Sequence, residues 1–95
     1  MEISSSGSVI TIAGNIKSVL DFQKIKSHID NIIQNHEKIT IKIPDSISIT
    51  SSLIGYFTKL VYKDEIKISI DIGDERLYNL LDELHLVSQF NARKA

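Results

Sequence analysis

Two short segments in which isoleucine alternates with polar residues place the strongest constraint on the fold of this chain. They are Ile39–Ile43 (ITIKI), which ends at Pro44, and Ile66–Ile72 (IKISIDI), which ends at Gly73-Asp74. Alternation sends successive side chains to opposite faces of a strand, so each strand has an isoleucine face and a polar face. A sheet covered on both faces would show continuous apolar runs instead. We therefore expect the helices to pack mainly on one face of the sheet.

Three helical patterns separate or follow these strands. Apolar residues at steps of three and four predict a first helix that begins at Val19, is capped by Ser18 and ends near Asn35. A second amphipathic helix begins near Ser51, and a third, with a leucine stripe, follows Asp74. The connection between successive strands through a helix should be right-handed, which makes the middle strands parallel.

The two ends of the chain complete the predicted order. Val9–Ala13 is a short β-branched strand, and Met1–Ser4 is expected to pair with it as an antiparallel edge. Residues 91–95 (NARKA) are predicted to be a polar tail beyond a core of residues 2–91. The predicted fold is a single α/β domain, 1–95, in the order β-β-α-β-α-β-α, with a mostly four-stranded mixed sheet.

The composition argues against several functional classes. The 95 residues are 42% hydrophobic and 24% charged, which is typical of a globular domain. The absence of cysteine excludes a disulfide scaffold and a thiol nucleophile. The net charge of −1, without a basic stripe, argues against a nucleic-acid partner, and no apolar run is long enough for membrane insertion. We expect a soluble cytoplasmic protein.

No group of residues forms a recognisable catalytic or metal-binding pattern. The three histidines, His28, His36 and His85, are not spaced as ligands on one helix. Glycine-rich phosphate-binding motifs and the GxSxG nucleophile motif are absent. A Ser–His–Asp arrangement of residues distant in sequence stays open at this point. We expect a protein without enzymatic activity, metal or cofactor.

The stretch Ile49–Gly55 (ITSSLIG) places three consecutive hydroxyl residues at the predicted start of the second helix. One hydroxyl suffices to cap a helix, so at least one is spare. Gly55 falls within the first turns, where glycine costs about 1 kcal/mol relative to alanine. Such a glycine indicates close approach by a backbone or a partner, or a packing requirement of the core.

The order and spacing of four segments resemble the STAS domain family, which includes the bacterial anti-sigma-factor antagonists. Ala13–Ile16 (AGNI) is similar to the family's first turn and Ile39–Ile43 to its central strand. Thr50–Gly55 (TSSLIG) resembles its D-S-S-G-L-G helix start, and Leu80–Phe90 (LLDELHLVSQF) its closing pattern. The resemblance covers about residues 2–91. It implies a regulatory protein–protein interaction domain.

The resemblance also implies a phosphorylatable hydroxyl at the start of the second helix. The family's acceptor position corresponds to Ser51, with Ser52 as the second hydroxyl. A phosphate there would be stabilised by the helix N-terminus and could abolish docking through its charge. The chain has Thr50 where the family has aspartate, Leu53 at the first glycine and Lys17 at an acidic position. A hydroxyl that only caps the helix is the alternative.

By the same resemblance, the partner would be an anti-sigma factor, a serine kinase or another regulator, and the oligomeric state is open. An alternative role is that of a cytoplasmic accessory subunit of an ABC-type lipid transporter. A ligand-binding or enzymatic role of the polar sheet face is a third possibility, without a residue pattern to support it. The residues expected to bind the partner are Asp45, Ser46, Ser48, Thr50, Ser51, Ser52, Gly55, Tyr56 and Lys59.

Overall fold

Three helices and five strands make up the computed structural model, which describes residues 1–95. In chain order the elements are β1 (Glu2–Ser6), β2 (Val9–Ala13), α1 (Val19–Ile32), β3 (Lys38–Ile43), α2 (Ser51–Tyr62), β4 (Lys67–Ile72), α3 (Glu75–Glu83) and β5 (Ala92–Lys94). None of the helices is long and apolar enough to cross a membrane.

The strands form one mixed sheet in the order β1-β2-β3-β4-β5. β1 pairs antiparallel with β2, as the sequence predicted, and the remaining neighbours pair in parallel. Ile41 lies in register with Ile10 and Ile70, so the isoleucines of neighbouring strands share one face. Residues of all three helices join these isoleucines in a single core of 20 buried residues. The predicted packing of helices on one face is confirmed.

The predicted count of four strands is wrong, and the additional strand lies within residues 91–95, where the sequence predicted a polar tail. Ala92–Lys94 forms a fifth strand, in which Ala92 lies opposite Ile70 on the core side. Phe90, just before this strand, is fully buried with its ring centroid 5.8 Å from that of Phe57. Because the strand has a single apolar side chain, its sequence is too short to show an alternating pattern.

The opposite face of the sheet carries polar side chains. Thr11, Lys42, Asp71 and Arg93 lie side by side on four neighbouring strands. The Nε atom of Arg93 donates a hydrogen bond to Asp71 over 2.5 Å. This row is the polar half of the alternation that the sequence shows.

All three helices begin at the same edge of the sheet, because each follows the carboxyl end of one of the parallel strands β2, β3 and β4. Their N-caps are Ser18, Thr50 and Asp74, and each side chain accepts a hydrogen bond from a backbone N–H of the first turn. The loops before these helices therefore lie together at one edge, where α/β sheets commonly bind ligands.

Candidate functional site

The loop between β3 and α2 is fixed by hydrogen bonds to the loop between β2 and α1. The backbone N–H of Gly14 donates to Oδ2 of Asp45 over 3.2 Å. In the other direction, the N–H of Ile47 donates to Oδ1 of Asn15 over 2.9 Å. Each loop therefore satisfies backbone groups of the other.

Ser46 and Ser48 complete the connection between these loops. The fully buried Oγ of Ser46 accepts from the N–H of Ile16 at 3.0 Å and donates to the carbonyl of Ser48 at 2.7 Å. The hydroxyl of Ser48 donates to the carbonyl of Ile16 at 2.8 Å. Of the predicted partner-binding residues, Ser46 is thus inaccessible and serves to hold the loop in place.

At the start of α2, the cap and the spare hydroxyls belong to different residues. Oγ1 of Thr50 accepts from the N–H of Leu53 over 3.1 Å, which makes Thr50 the N-cap. Ser51 and Ser52 are exposed, and their hydroxyls form no hydrogen bond within the chain. The first turn of α2 contains no acidic residue, in contrast to the first turns of α1 and α3.

Gly55 lies on the exposed surface of α2. A Cβ atom added there would meet no atom within 4 Å, so packing within the core does not explain this glycine. Ser51, Gly55 and Lys59 are each four residues apart, which places them along one exposed line of the helix. Glycine destabilises a helix relative to alanine, and no contact inside this chain requires a glycine at this position.

Tyr56 belongs to the interface between α1 and α2, where it is only 5% exposed. Its hydroxyl donates to Oδ1 of Asp30 over 2.5 Å, and its ring meets Phe22 edge-on at 6.3 Å between centroids. The ammonium groups of Lys26 and Lys59 lie 5.6 and 6.0 Å from the ring centroid. The structure therefore places Tyr56 beneath the surface, and leaves Lys59 exposed above it.

Burial and the neighbouring carboxylate of Asp30 together keep this tyrosine protonated. Burial raises the pKa of the Tyr56 phenol, and the hydrogen bond to Asp30 raises it further. Burial also opposes ionisation of Asp30, but hydrogen bonds from Lys26 and Tyr56 outweigh it and lower the pKa of that carboxyl group. At neutral pH, Tyr56 is a neutral donor to an ionised carboxylate.

Two apolar residues at the edge where the helices begin are exposed, and the sequence pattern missed both. Ile47, at the tip of the β3–α2 loop, is 43% exposed, and Val19, in the first turn of α1, is 69% exposed. Val19 and Ser52 lie in the first turns of α1 and α2, and both helices begin at this edge of the sheet. The periodicity assigned Val19 to the buried stripe, but the first turn extends past the core.

The surface around Ser51 has no pocket. Of the 4 cavities in the structure, none is lined by a residue of the 45–52 segment. No group of three His, Cys, Asp or Glu side chains is arranged to hold a metal ion. Small-molecule sites are usually concave, and the surface around Ser51 is not.

The fold and this edge together define an α/β domain whose mixed sheet is covered by helices on one face. No protein-family model, no curated protein and no solved structure matches the chain.

Proposed function

We propose that this protein is a non-enzymatic regulatory module that binds a partner protein through the start of α2. The observation that carries this proposal is the pair of exposed hydroxyls, Ser51 and Ser52, which have no hydrogen-bond partner and follow a loop held rigid by Ser46. We define the docking surface as the accessible residues of this edge, namely Val19, Asp45, Ile47, Ser51, Ser52, Gly55 and Lys59.

The shape and chemistry of the docking surface favour a macromolecule. It lacks a cavity, and it includes two exposed apolar side chains, Ile47 and Val19, beside polar ones. Exposed apolar side chains among polar ones are common at protein–protein interfaces. The open space around Gly55 lets a partner's backbone approach α2 closely.

Phosphorylation of Ser51 is the proposed switch. A kinase would transfer the terminal phosphoryl group of ATP to Oγ of Ser51, with loss of the hydroxyl proton and release of ADP. The phosphate would add close to two negative charges at the N-terminal end of α2, a position that favours anions and where the first turn has no carboxylate. The same charge would repel an acidic partner surface and impose a desolvation cost on an apolar one.

The resemblance to anti-sigma-factor antagonists supports the class of partner. We propose an anti-sigma factor, a serine kinase or another regulator, with any ATP bound by that partner. Affinity purification from the native host, followed by intact-mass measurement, would identify the partner and detect a phosphate on the same sample. Recovery with a membrane permease and its ATPase would instead support the role of a transporter accessory subunit.

A substitution tests the docking surface once the partner is isolated. Ser51→Asp is expected to weaken binding at least about tenfold, which corresponds to about 1.4 kcal/mol. Ser88→Asp, which adds the same charge at an exposed residue elsewhere, is the matched control and should leave the dissociation constant unchanged. Equal dissociation constants for Ser51→Asp and the unmodified protein would argue against the switch.

A further inference from the structure

The most voluminous cavity of the molecule, about 640 Å³, lies between strand β1 and helix α1. Its lining includes Ile3 from the strand and Leu20, Lys24 and His28 from the helix. None of the residues that line this groove belongs to the docking surface defined above. The groove is therefore a separate feature that the proposed function leaves unexplained.

One wall of the groove is an open strand edge. β1 has a neighbour, β2, on one side only, so half of its backbone N–H and C=O groups have no partner strand. Its five residues include one charged side chain, Glu2, and no proline or lysine of the kind that protects edges. The opposite edge, β5, has three residues, two of them basic. β1 is thus the edge that can accept another strand.

The other wall presents side chains at a spacing that an added strand can match. β1 runs antiparallel to β2, and α1 returns from the end of β2 to the start of β3, so β1 and α1 point in the same direction. The hydroxyl of Ser5 is 2.8 Å from Nε2 of His28, so this position of β1 lies beside His28 of α1. Leu20, Lys24 and His28 follow one another about 6 Å apart. Alternate side chains of a strand lie about 7 Å apart.

The chemistry of the groove changes along its length. At the end where α1 begins, Leu20 is 70% exposed near the half-buried Ile3, and an apolar side chain would cover both. In the middle, Lys24 is exposed and forms no ion pair with a carboxylate of this chain. The nearby Asp21 accepts a hydrogen bond from the N–H of Lys17 instead. A carboxylate of a bound segment, placed opposite Lys24, would form the ion pair that this lysine lacks within the chain.

We propose that this groove binds an extended segment of a partner protein as a sixth strand, antiparallel to β1. An antiparallel segment reaches Lys24 before Leu20, so it carries a glutamate or aspartate two residues before an apolar residue. Main-chain hydrogen bonds to β1 would supply affinity, and the two side-chain contacts would supply specificity.

A second copy of this chain fits the groove less well. Two-fold pairing of β1 with itself would place the two α1 helices side by side and antiparallel. Leu20 of each copy would then face the polar His28 end of the other helix, and the two Lys24 side chains would approach each other near the centre. Like charges at this distance repel, and the apolar ends would stay uncovered.

The test uses an acetylated, amidated peptide of threonine and valine, with one glutamate and, two residues later, one leucine. The full chain, labelled with ¹⁵N, is titrated with this peptide, and amide shifts in β1 and α1 report the site. Lys24→Glu is expected to weaken binding of the peptide about tenfold or more. A second peptide, with lysine in place of the glutamate, should bind this variant more tightly than the first peptide does and so restore part of the lost affinity. Lys67→Glu, with the same charge change on the open sheet face, is the control and should change affinity less than about twofold.

Three outcomes would overturn the proposal. The first is that the peptide fails to bind the folded chain or binds with shifts outside β1 and α1. The second is that binding is equally sensitive to Lys24→Glu and Lys67→Glu, which would show general attraction between charges. The third is a stable dimer in sedimentation whose formation perturbs β1, which would assign the edge to a second copy. The amide spectrum of each variant verifies its fold independently of binding.

Discussion

At the scale of single residues, the contact between Tyr56 and Asp30 ties α1 to α2. The tyrosine ring is buried between the helices, and its hydroxyl donates to a carboxylate that also receives Lys26 at 2.8 Å. Hydrogen bonds to ionised groups contribute more than those between neutral groups. Because Asp30 is partly exposed to solvent, water screens the interaction between Tyr56 and Asp30. The pair therefore stabilises the fold less than a fully buried pair would.

Replacement of Tyr56 by phenylalanine removes the hydroxyl and keeps the ring. We expect Tyr56→Phe to lower the free energy of unfolding by about 1–2 kcal/mol at neutral pH, measured by urea denaturation. Tyr62→Phe, at a tyrosine whose hydroxyl only accepts from Gln89 on the surface, should change it by about 0.5 kcal/mol or less. Similar losses for both variants would contradict the role assigned to Asp30.

The same pair predicts a pH dependence. The pKa of Asp30 is lowered in the folded state from its ordinary value of 3.8, so its stabilisation is present above that value. It is lost as the pH falls through the lower pKa of the folded state. The difference in stability between the unmodified protein and Tyr56→Phe should therefore shrink below about pH 4. A difference that stays constant from pH 7 to strongly acidic pH would count against this account.

At the scale of elements, two glycines have opposite surroundings. Gly55 lies in open space on α2, whereas a Cβ atom on Gly73 would lie 2.2 Å from the carbonyl oxygen of Pro44. The N–H of Gly73 also donates to the carbonyl of Ile43 over 2.9 Å. Gly73 thus lets the β4–α3 loop pass directly against the end of β3, next to the loop that leads to the docking surface.

Alanine at these two positions should have opposite effects on stability. Gly55→Ala is expected to raise the free energy of unfolding by about 1 kcal/mol, because alanine favours the helix and meets no atom. Gly73→Ala should lower it by about 2 kcal/mol or more, because backbone must move to make room. Thermal denaturation followed by circular dichroism measures both. A destabilised Gly55→Ala would show that an unrecognised contact surrounds this helix position.

At the scale of the whole molecule, one core connects the first and last elements. The single cluster of buried residues runs from Ile10 and Ile12 in β2 to Phe90 and Ala92 at the fifth strand. The centroid distance and the 83° angle between the rings of Phe57 and Phe90 describe an edge-to-face contact between α2 and this last segment. Residues 90–94 are therefore an integral part of the domain.

A large-to-small substitution at the last segment tests this integration. We expect Phe90→Ala to lower the free energy of unfolding by about 3–5 kcal/mol, because it leaves a cavity in the shared core. Circular dichroism of the helices and tyrosine fluorescence should both report one unfolding transition, with the same midpoint denaturant concentration. Leu84→Ala, at a leucine that is 48% exposed, serves as the control. An early, separate transition would mean that the last strand folds independently of the rest.

Features that depend on residues close together in the sequence were predicted correctly, whereas features that depend on contacts between distant residues were missed. The alternation in Ile39–Ile43, the cap Ser18 and the start of a helix after Asp74 are local signals, and the structure confirms them. The burial of Ser46 could not be predicted, because its hydrogen-bond partner Ile16 lies 30 residues away in the sequence. Strand β5 was missed for a similar reason, since its pairing with β4 gives Ala92–Lys94 a structure that its own residues do not indicate.

The bonds between the β2–α1 and β3–α2 loops have a consequence for kinetics. Because Asp45, Ser46 and Asn15 already fix the backbone, a partner of the kind proposed would find the docking surface preorganised and would have no loop to order. Free and bound backbones should then superimpose closely. Association would follow one bimolecular step, with an observed rate that rises linearly with partner concentration, and phosphorylation of Ser51 would change how long the complex lasts.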